Sequence, residues 1–158
     1  MQELNWRGRL EHIFIAERQS LPMQELTEAR LVEGIVVEGD RYATGKGKYS
    51  VRPSPDRQVT LIEMETIEAI RRDCNIELQP LETRRNLVTR GVPLNHLVGK
   101  NFRVGEALLF AQRLNVPCKY LEELLGKPVY APLLNRAGLN CVIVRGGVIR
   151  PGDAVRPD

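Results

Sequence analysis

The stretch FRVGEALLFAQRL, residues 102–114, decides the fold. It holds two strand candidates, residues 102–104 and 107–114, which are separated only by Gly105 and Glu106. Two apolar runs joined by a short glycine-containing turn are typical of antiparallel neighbours in a meander or a barrel wall. We therefore predict a β-hairpin at this point of the chain.

Further strand candidates lie on both sides of this hairpin at close spacing. Residues 9–16, 29–35 and 58–62 contain β-branched and aromatic side chains, and residues 139–145 form an apolar run typical of a buried strand. Glycine and proline residues between the candidates supply turns. These short strands predict a sheet with tight connections.

Two helices of modest length are predicted between the strands. Apolar residues at helical spacing run from residue 64 to Cys74, which places Cys74 on the apolar stripe of the first helix. Residues 116–126 form the second, with Cys118 at its beginning and Gly126 as its stop. So little helix favours an α+β, mainly β domain that contains a β-barrel over a doubly wound parallel sheet.

Length and composition indicate one ordinary globular domain. The chain has 158 residues, of which 42% are hydrophobic and 27% charged, so we predict a single domain over residues 1–158 with its core at about residues 9–155. Three cysteines without regular spacing favour free thiols and a cytoplasmic location. The sequence has no signal peptide and no apolar run of roughly 18 residues, so we expect neither export nor a membrane.

The charge balance does not favour a nucleic-acid partner. The 23 basic residues are offset by 20 acidic ones, and only 5% of residues are aromatic and available for stacking on bases. The two common nucleotide-binding glycine motifs are absent from the sequence. A small basic β-barrel that binds RNA or a protein partner stays open as an alternative.

Cys118 is the first candidate for chemistry. A thiol at a helix start meets unpaired backbone N–H groups and the positive end of the helix dipole, which stabilise a thiolate that can accept sulfur or bind a soft metal. Packing alone is the competing explanation for this thiol, and it is the expected role of Cys74 and Cys141. No CxxC pair exists and His12 and His96 are distant in sequence, so a structural zinc site has no support.

A set of basic residues in turn-rich segments is the second feature. Guanidinium forks and backbone N–H groups in such segments can hold an anionic group, although most surface arginines are only solvated. The set comprises Arg41 beside Asp40, the loop residues Lys46, Lys48, Arg52 and Arg57, and Arg84, Arg85 and Arg90 around Asn86.

Taken in order, six blocks of the sequence resemble the MOSC domain, the module at the C-terminus of molybdenum-cofactor sulfurases and in small stand-alone bacterial proteins. The blocks are EGDR (residues 38–41), RQVTLI (57–62), RRNLVT (84–89), LVGKNFRVGEA (97–107), PC (117–118) and GGVIRPGD (146–153). Tyr42 departs from the family pattern, because many members have histidine there.

The resemblance implies a β-barrel-containing fold and a role linked to the molybdenum cofactor, molybdopterin. It implies that Cys118 is the catalytic or sulfur-carrying residue and the molybdenum ligand if the metal is bound. The cofactor-binding residues that it implies are Asp40, Arg41, Arg57, Arg85, Asn86, Thr89 and Arg90.

Two functions are compatible with that resemblance. The domain binds the cofactor or carries sulfur, or it is the catalytic part of a molybdenum-dependent reductase of N-hydroxylated compounds, so whether it is an enzyme stays open. The sequence carries no desulfurase module with a pyridoxal-phosphate lysine. We therefore expect sulfur to come from a cysteine desulfurase or another donor, with pyridoxal phosphate only on that partner, and electrons from an electron-transfer protein.

Overall fold

The computed structural model describes residues 5–16, 22–33 and 58–158. In chain order, the strands of these ranges are β1 (Gly8–Ile15), β2 (Gln24–Leu26), β3 (Ala29–Leu31), β4 (Val59–Glu63), β5 (Leu87–Arg90), β6 (Asn101–Val104), β7 (Ala107–Leu114), β8 (Leu139–Arg145), β9 (Gly147–Ile149) and β10 (Ala154–Pro157). Asp40, Arg41, Tyr42, Arg57 and the basic loop between them lie outside the described residues.

The predicted hairpin is confirmed. Strands β6 and β7 pair antiparallel, and Val104 lies opposite Ala107 across the turn. Gly105 has a φ of +53° in that turn, a left-handed conformation that glycine adopts without steric strain. Strand β7 pairs on its other side with β8, so it lies inside the sheet.

The sheet closes on itself as a seven-stranded β-barrel. Its strand order is β10-β6-β7-β8-β4-β5-β1, and β1 pairs with β10 to complete the ring. All neighbours are antiparallel except β4 and β5, which run parallel. Strand β2 extends the sheet beside β1, and β3 pairs with β9 as a separate two-stranded sheet. The predicted mainly β, barrel-containing fold is confirmed.

Side chains alternate between the two faces of the barrel wall. In β4, Val59 and Leu61 belong to the apolar cluster of the barrel interior, whereas Ile62 belongs to a second cluster outside it. We call this second cluster the outer core; Phe14 and Val88 contribute to it from β1 and β5. The outward face therefore needs a cover, because apolar side chains on it would otherwise meet water.

Three helices provide that cover within the described residues: α1 (Met64–Cys74), α2 (Lys119–Leu125) and α3 (Tyr130–Leu133). Each contributes buried side chains to the outer core, such as Ile70 of α1, Leu121 of α2 and Leu133 of α3. The strand-to-helix transition at residue 63 and the helix that begins after Cys118 are confirmed. Among the described residues, no helix is both long and apolar enough to span a bilayer.

The predicted burial of Cys74 is wrong. The thiol-bearing residue is exposed, because it is the last residue of α1 and the chain turns away through Asn75, which adopts a left-handed conformation with φ of 53°. The apolar stripe of this helix ends at Ile70. The sequence prediction also missed the short strand β2 and the single turn α3.

Candidate functional site

Polar residues lie next to the outer core on the outward face of β4 and β8 and directly before β5. Thr60, Asn86 and Asn140 are each at most 2% exposed, and Thr60 lies opposite Asn140 in the β4–β8 pairing. Polar side chains at such depth require hydrogen-bond partners within the protein. Their hydrogen bonds connect neighbouring strands and segments of the barrel wall.

Asn86 joins three strands of the wall. Its Oδ1 accepts hydrogen bonds from the backbone N–H and the hydroxyl of Thr60, at 3.1 and 3.2 Å, and its Nδ2 donates to the carbonyl oxygen of Phe14 at 3.2 Å. Its own backbone N–H donates to Thr60 Oγ1 at 3.1 Å. The amide of Asn86 is therefore engaged by β1 and β4, and its role in cofactor binding stays a prediction.

A chain of side-chain contacts runs from Arg85 across the wall. Arg85 Nη2 donates to Asn115 Oδ1 at 2.6 Å, and Asn115 Nδ2 donates to Asn140 Oδ1 at 2.5 Å. The Arg113 guanidinium lies at the other end of the Asn140 amide, with its Nη2 at 2.8 Å, and it can donate only to the Asn140 oxygen. That single oxygen therefore meets either Asn115 Nδ2 or Arg113, depending on which way the Asn140 amide is turned. We call these four residues the amide network. It brings two positive charges to one side of the wall.

The segment that follows the amide network carries Cys118. Asn115 is succeeded by Val116, which is 66% exposed, by the buried Pro117, and then by Cys118 as the N-cap residue of α2. Cys118 is half-buried, and its side chain packs against the outer core. The predicted position of this thiol at a helix start is confirmed, and it lies three residues from a side chain that binds Arg85.

The charge of Lys119 is directed away from this segment. Its Nζ lies 3.2 Å from Glu122 Oε2 and 4.8 Å from the centre of the Tyr130 ring. The backbone N–H of Tyr130 and the ammonium of Lys119 hold the pKa of Glu122 below its ordinary value. Electrostatic support of Cys118 by Lys119 therefore stays a prediction that these contacts do not favour.

Two predicted site residues lie at the far end of β5. Arg90 Nε donates to Glu11 Oε1 at 2.9 Å, and its Nη1 donates to Glu68 Oε1 at 3.1 Å. These carboxylates raise the pKa of Arg90. Arg90 is the last residue of β5, whereas Arg85 lies two residues before the first, so the strand separates the two arginines. The structure does not bring Arg90 together with Cys118.

Thr89 is also part of this far end. It is fully buried, and its hydroxyl has no hydrogen-bond partner within residues 5–16, 22–33 and 58–158. The alternation of the strand places it on the same face as Leu87, toward the barrel interior. A cofactor role for Thr89 or Arg90 stays a prediction that this placement does not support.

The other two cysteines differ from Cys118 in opposite ways. Cys141 is 0% exposed in the barrel interior, and burial raises the pKa of its thiol. Cys74 is exposed and lies at the end of α1. Of the three cysteines, Cys118 alone is half-buried, and it follows the amide network by three residues. In the described part of the chain, no group of three or more His, Cys, Asp or Glu residues could hold a metal ion.

Asn115 and Asn140 were not recognised as site residues in the sequence. A signal for Asn140 was present, because an asparagine interrupts the apolar run of residues 139–145 at an outward-facing position. Asn115 had only its position beside Val-Pro-Cys. Their contacts link residues that are 25 and 30 positions apart, which no local pattern reveals.

The closed seven-stranded barrel, with helices packed on its outer wall and Cys118 at the start of one of them, indicates the class of protein. A model of the MOSC domain matches residues 46–156. The chain belongs to the MOSC domain family. None of the curated proteins matches it.

Solved structures share the fold. The YUAD protein from Bacillus subtilis is 20% identical, with a TM-score of 0.79 over 95% of this chain and 96% of that one. YiiM from Geobacillus stearothermophilus is 12% identical, with a TM-score of 0.73 over 96% of this chain and 75% of that one. YiiM from Escherichia coli is 18% identical, with a TM-score of 0.71 over 96% and 69% of the two chains. At these identities the likeness concerns the fold.

Proposed function

We propose that this domain binds the molybdenum cofactor, or carries sulfur for it, through the thiolate of Cys118. The observation that carries the proposal is the position of this thiol: half-buried, at the start of α2, and three residues beyond the amide network. Membership in the MOSC domain family, which is associated with the molybdenum cofactor, supports the same ligand.

The donor set at this place fits the proposed group. A thiolate is a soft ligand suited to molybdenum, and guanidinium groups suit an anionic phosphate. Cys118 would hold the metal, while Arg113 would favour the negative charge of a ligand next to it. When bound, the cofactor would supply the redox chemistry of its metal. The protein would supply the sulfur ligand, its orientation, and partial exclusion of water by the outer core.

In its sulfur-carrying form, the reaction needs no external oxidant. The Cys118 thiolate attacks the outer sulfur of a persulfide on a donor protein, the donor's S–S bond breaks, and the donor leaves as a thiolate. Cys118 then holds the persulfide. The donor of this chemistry would be a cysteine desulfurase whose own pyridoxal phosphate generates the first persulfide, or another persulfide-bearing protein.

The decisive experiment compares Cys118→Ser with Cys74→Ser, because both remove one thiol that is not fully buried. Protein is made in a host that synthesises the molybdenum cofactor, and molybdenum content, pterin fluorescence and intact mass are measured. We expect wild-type protein and Cys74→Ser to retain metal and pterin or to gain the mass of one sulfur atom. Cys118→Ser should do neither.

The same measurements separate the two forms of the proposal. Metal and pterin that depend on Cys118 support cofactor binding, whereas a thiol-dependent sulfur adduct without metal supports the carrier role. A Cys118→Ser protein that matches wild type in all three measurements would exclude both.

A further inference from the structure

The Arg85 guanidinium donates three hydrogen bonds within the protein. Its Nε donates to the carbonyl oxygen of Ala137 at 3.0 Å, its Nη1 to that of Thr83 at 3.3 Å, and its Nη2 to Asn115 Oδ1 at 2.6 Å. Ala137 and Thr83 are each 1% exposed, so two of the three acceptors belong to fixed, buried backbone. The third acceptor is the side chain that precedes the Cys118 segment.

Asn115 makes hydrogen bonds through its backbone N–H and through its side-chain amide. Its backbone N–H donates to the carbonyl oxygen of Gly138 at 2.7 Å, its Oδ1 accepts from Arg85, and its Nδ2 donates to Asn140 Oδ1. Gly138 is itself fixed against β4, since a Cβ there would lie 1.7 Å from the carbonyl oxygen of Leu61. Asn115 is therefore a rigid anchor at the end of β7.

Only two residues separate this anchor from the reactive thiol. Val116 is 66% exposed and contributes little packing, while Pro117 has a restricted φ and limits the conformations of the residue before it. On the other side of Cys118, its carbonyl oxygen accepts a hydrogen bond from the N–H of Leu121, in the first turn of α2. The position of the sulfur thus depends on Asn115 at one end and on α2 at the other.

We infer that Arg85 and Asn115 are positioning residues that hold the Cys118 segment in place for its ligand. The inference rests on the proposed function for its consequence, but the anchoring itself is testable without any ligand. It assigns Arg85 a role through Asn115 and Cys118, in place of direct contact with the cofactor.

The amide network also predicts which substitution preserves the anchor. In Asn115→Asp, the new carboxylate would still offer an oxygen to Arg85. If the Asn140 amide rotates by half a turn, its Nδ2 donates to that carboxylate and its oxygen accepts from Arg113, whose Nη1 and Nη2 lie at 3.1 and 2.8 Å. Every member is then satisfied. Leucine has a similar volume and offers no acceptor, so Asn115→Leu breaks the anchor.

The first measurement is the rate at which iodoacetamide alkylates Cys118 in a Cys74→Ser background. Cys141 is fully buried and serves as an internal monitor of unfolding. A released segment exposes the thiol more often, and losing a hydrogen bond to a charged group changes such an equilibrium about tenfold. We expect Asn115→Leu to be alkylated about tenfold faster at residue 118, with Cys141 still protected. Asn115→Asp should stay close to the parent rate.

The second measurement is retention of molybdenum or sulfur by the same variants, which should fall with Asn115→Leu and recover with Asn115→Asp. Asn95→Leu is the matched control, because Asn95 Nδ2 donates at 2.6 Å to the carbonyl oxygen of Asn135, which is not a member of the amide network. It should leave both readouts unchanged.

The outcomes distinguish the two proposals. Equal alkylation rates for Asn115→Leu, Asn115→Asp and the parent would overturn the positioning role even where Cys118→Ser abolishes retention. Alkylation of Cys141 in Asn115→Leu would count against it as well, since general unfolding would then explain the faster rate. A third outcome would separate the two proposals in the other direction. If Asn115→Leu speeds alkylation of residue 118 but Cys118→Ser retains as much molybdenum, pterin or sulfur as wild type, the positioning role stands and the proposed function is excluded.

Discussion

Two arginines flank strand β5 in different surroundings: Arg85 lies two residues before it, and Arg90 is its last residue. Before the strand, Arg85 donates to the neutral oxygens of Thr83, Ala137 and Asn115, and Asn115 precedes the segment that carries Cys118. At the end, Arg90 is bound by the carboxylates of Glu11 and Glu68. The comparison teaches that the acceptors around an arginine are more informative than its closeness to a sequence motif. Neutral buried oxygens fix Arg85 within the protein, whereas carboxylates hold Arg90 in a surface ion pair.

The largest effect should come from Asn86, at the start of β5. Asn86→Leu leaves the buried N–H and hydroxyl of Thr60 without their acceptor, so we expect the free energy of unfolding to fall by about 3 kcal/mol. Urea denaturation measures it. Asn95→Leu alters an exposed amide and should change the free energy by about 0.5 kcal/mol. Equal losses for the two variants would contradict the structural role of Asn86.

The two arginines test the comparison directly. Arg85→Leu removes three charge-assisted hydrogen bonds from a half-buried site and should lower the free energy of unfolding by about 2 kcal/mol. Arg90→Leu removes ion pairs with Glu11 and with the largely exposed Glu68. It should lower the free energy of unfolding by about 0.5–1 kcal/mol. Only Arg85→Leu should speed alkylation of Cys118. A larger alkylation response from Arg90→Leu would reverse our assignment of the two ends.

A smaller effect than that of Asn86 or Arg85 is a pH dependence at the far end of β5, where Glu63 lies opposite Thr89. Burial and the charge of Glu65 raise the pKa of Glu63 from 4.5 to about 7. The folded protein therefore holds this proton more tightly than the unfolded chain. The resulting stabilisation is fully present below pH 4.5 and is lost as the pH rises through about 7.

Because Glu63 is partly exposed, solvent screening reduces this contribution to about 1 kcal/mol. Glu63→Gln should remove it, so the difference between wild type and variant isolates Glu63 from carboxylates such as Glu11, whose pKa is lowered by Arg90 and Arg9 and which acts in the opposite direction. Chemical denaturation at pH values from 5 to 8 measures the difference. A constant difference across this range would contradict the raised pKa.

Local sequence signals predicted much of this fold and part of the site. The Gly105 turn, the alternation in β4 and the cap position of Cys118 each depend on a few adjacent residues, and each is confirmed. The helical period also extends to Cys74, but tertiary structure turns the chain away at Asn75. Periodicity shows on which face of the helix a side chain lies, but it does not show whether another part of the protein packs against that face.

The amide network could not be predicted for a different reason. Arg85, Asn115 and Asn140 come from three separate parts of the chain and meet only after the wall has formed. Asparagine before a turn and arginine before a strand are common, so neither residue alone indicates a partner. The same holds for the different partners of Arg85 and Arg90, which come from separate parts of the chain.

Closure of the ring by β1 and β10 has a consequence for biosynthesis. Gly8 pairs with Val155, so the earliest strand of the sheet must wait for one of the latest. Such distant pairing slows folding and leaves strand edges open while the chain emerges from the ribosome. A version truncated before Ala154 would expose the edges of β1 and β6 together. It should accumulate as insoluble aggregates or as chaperone-bound chains.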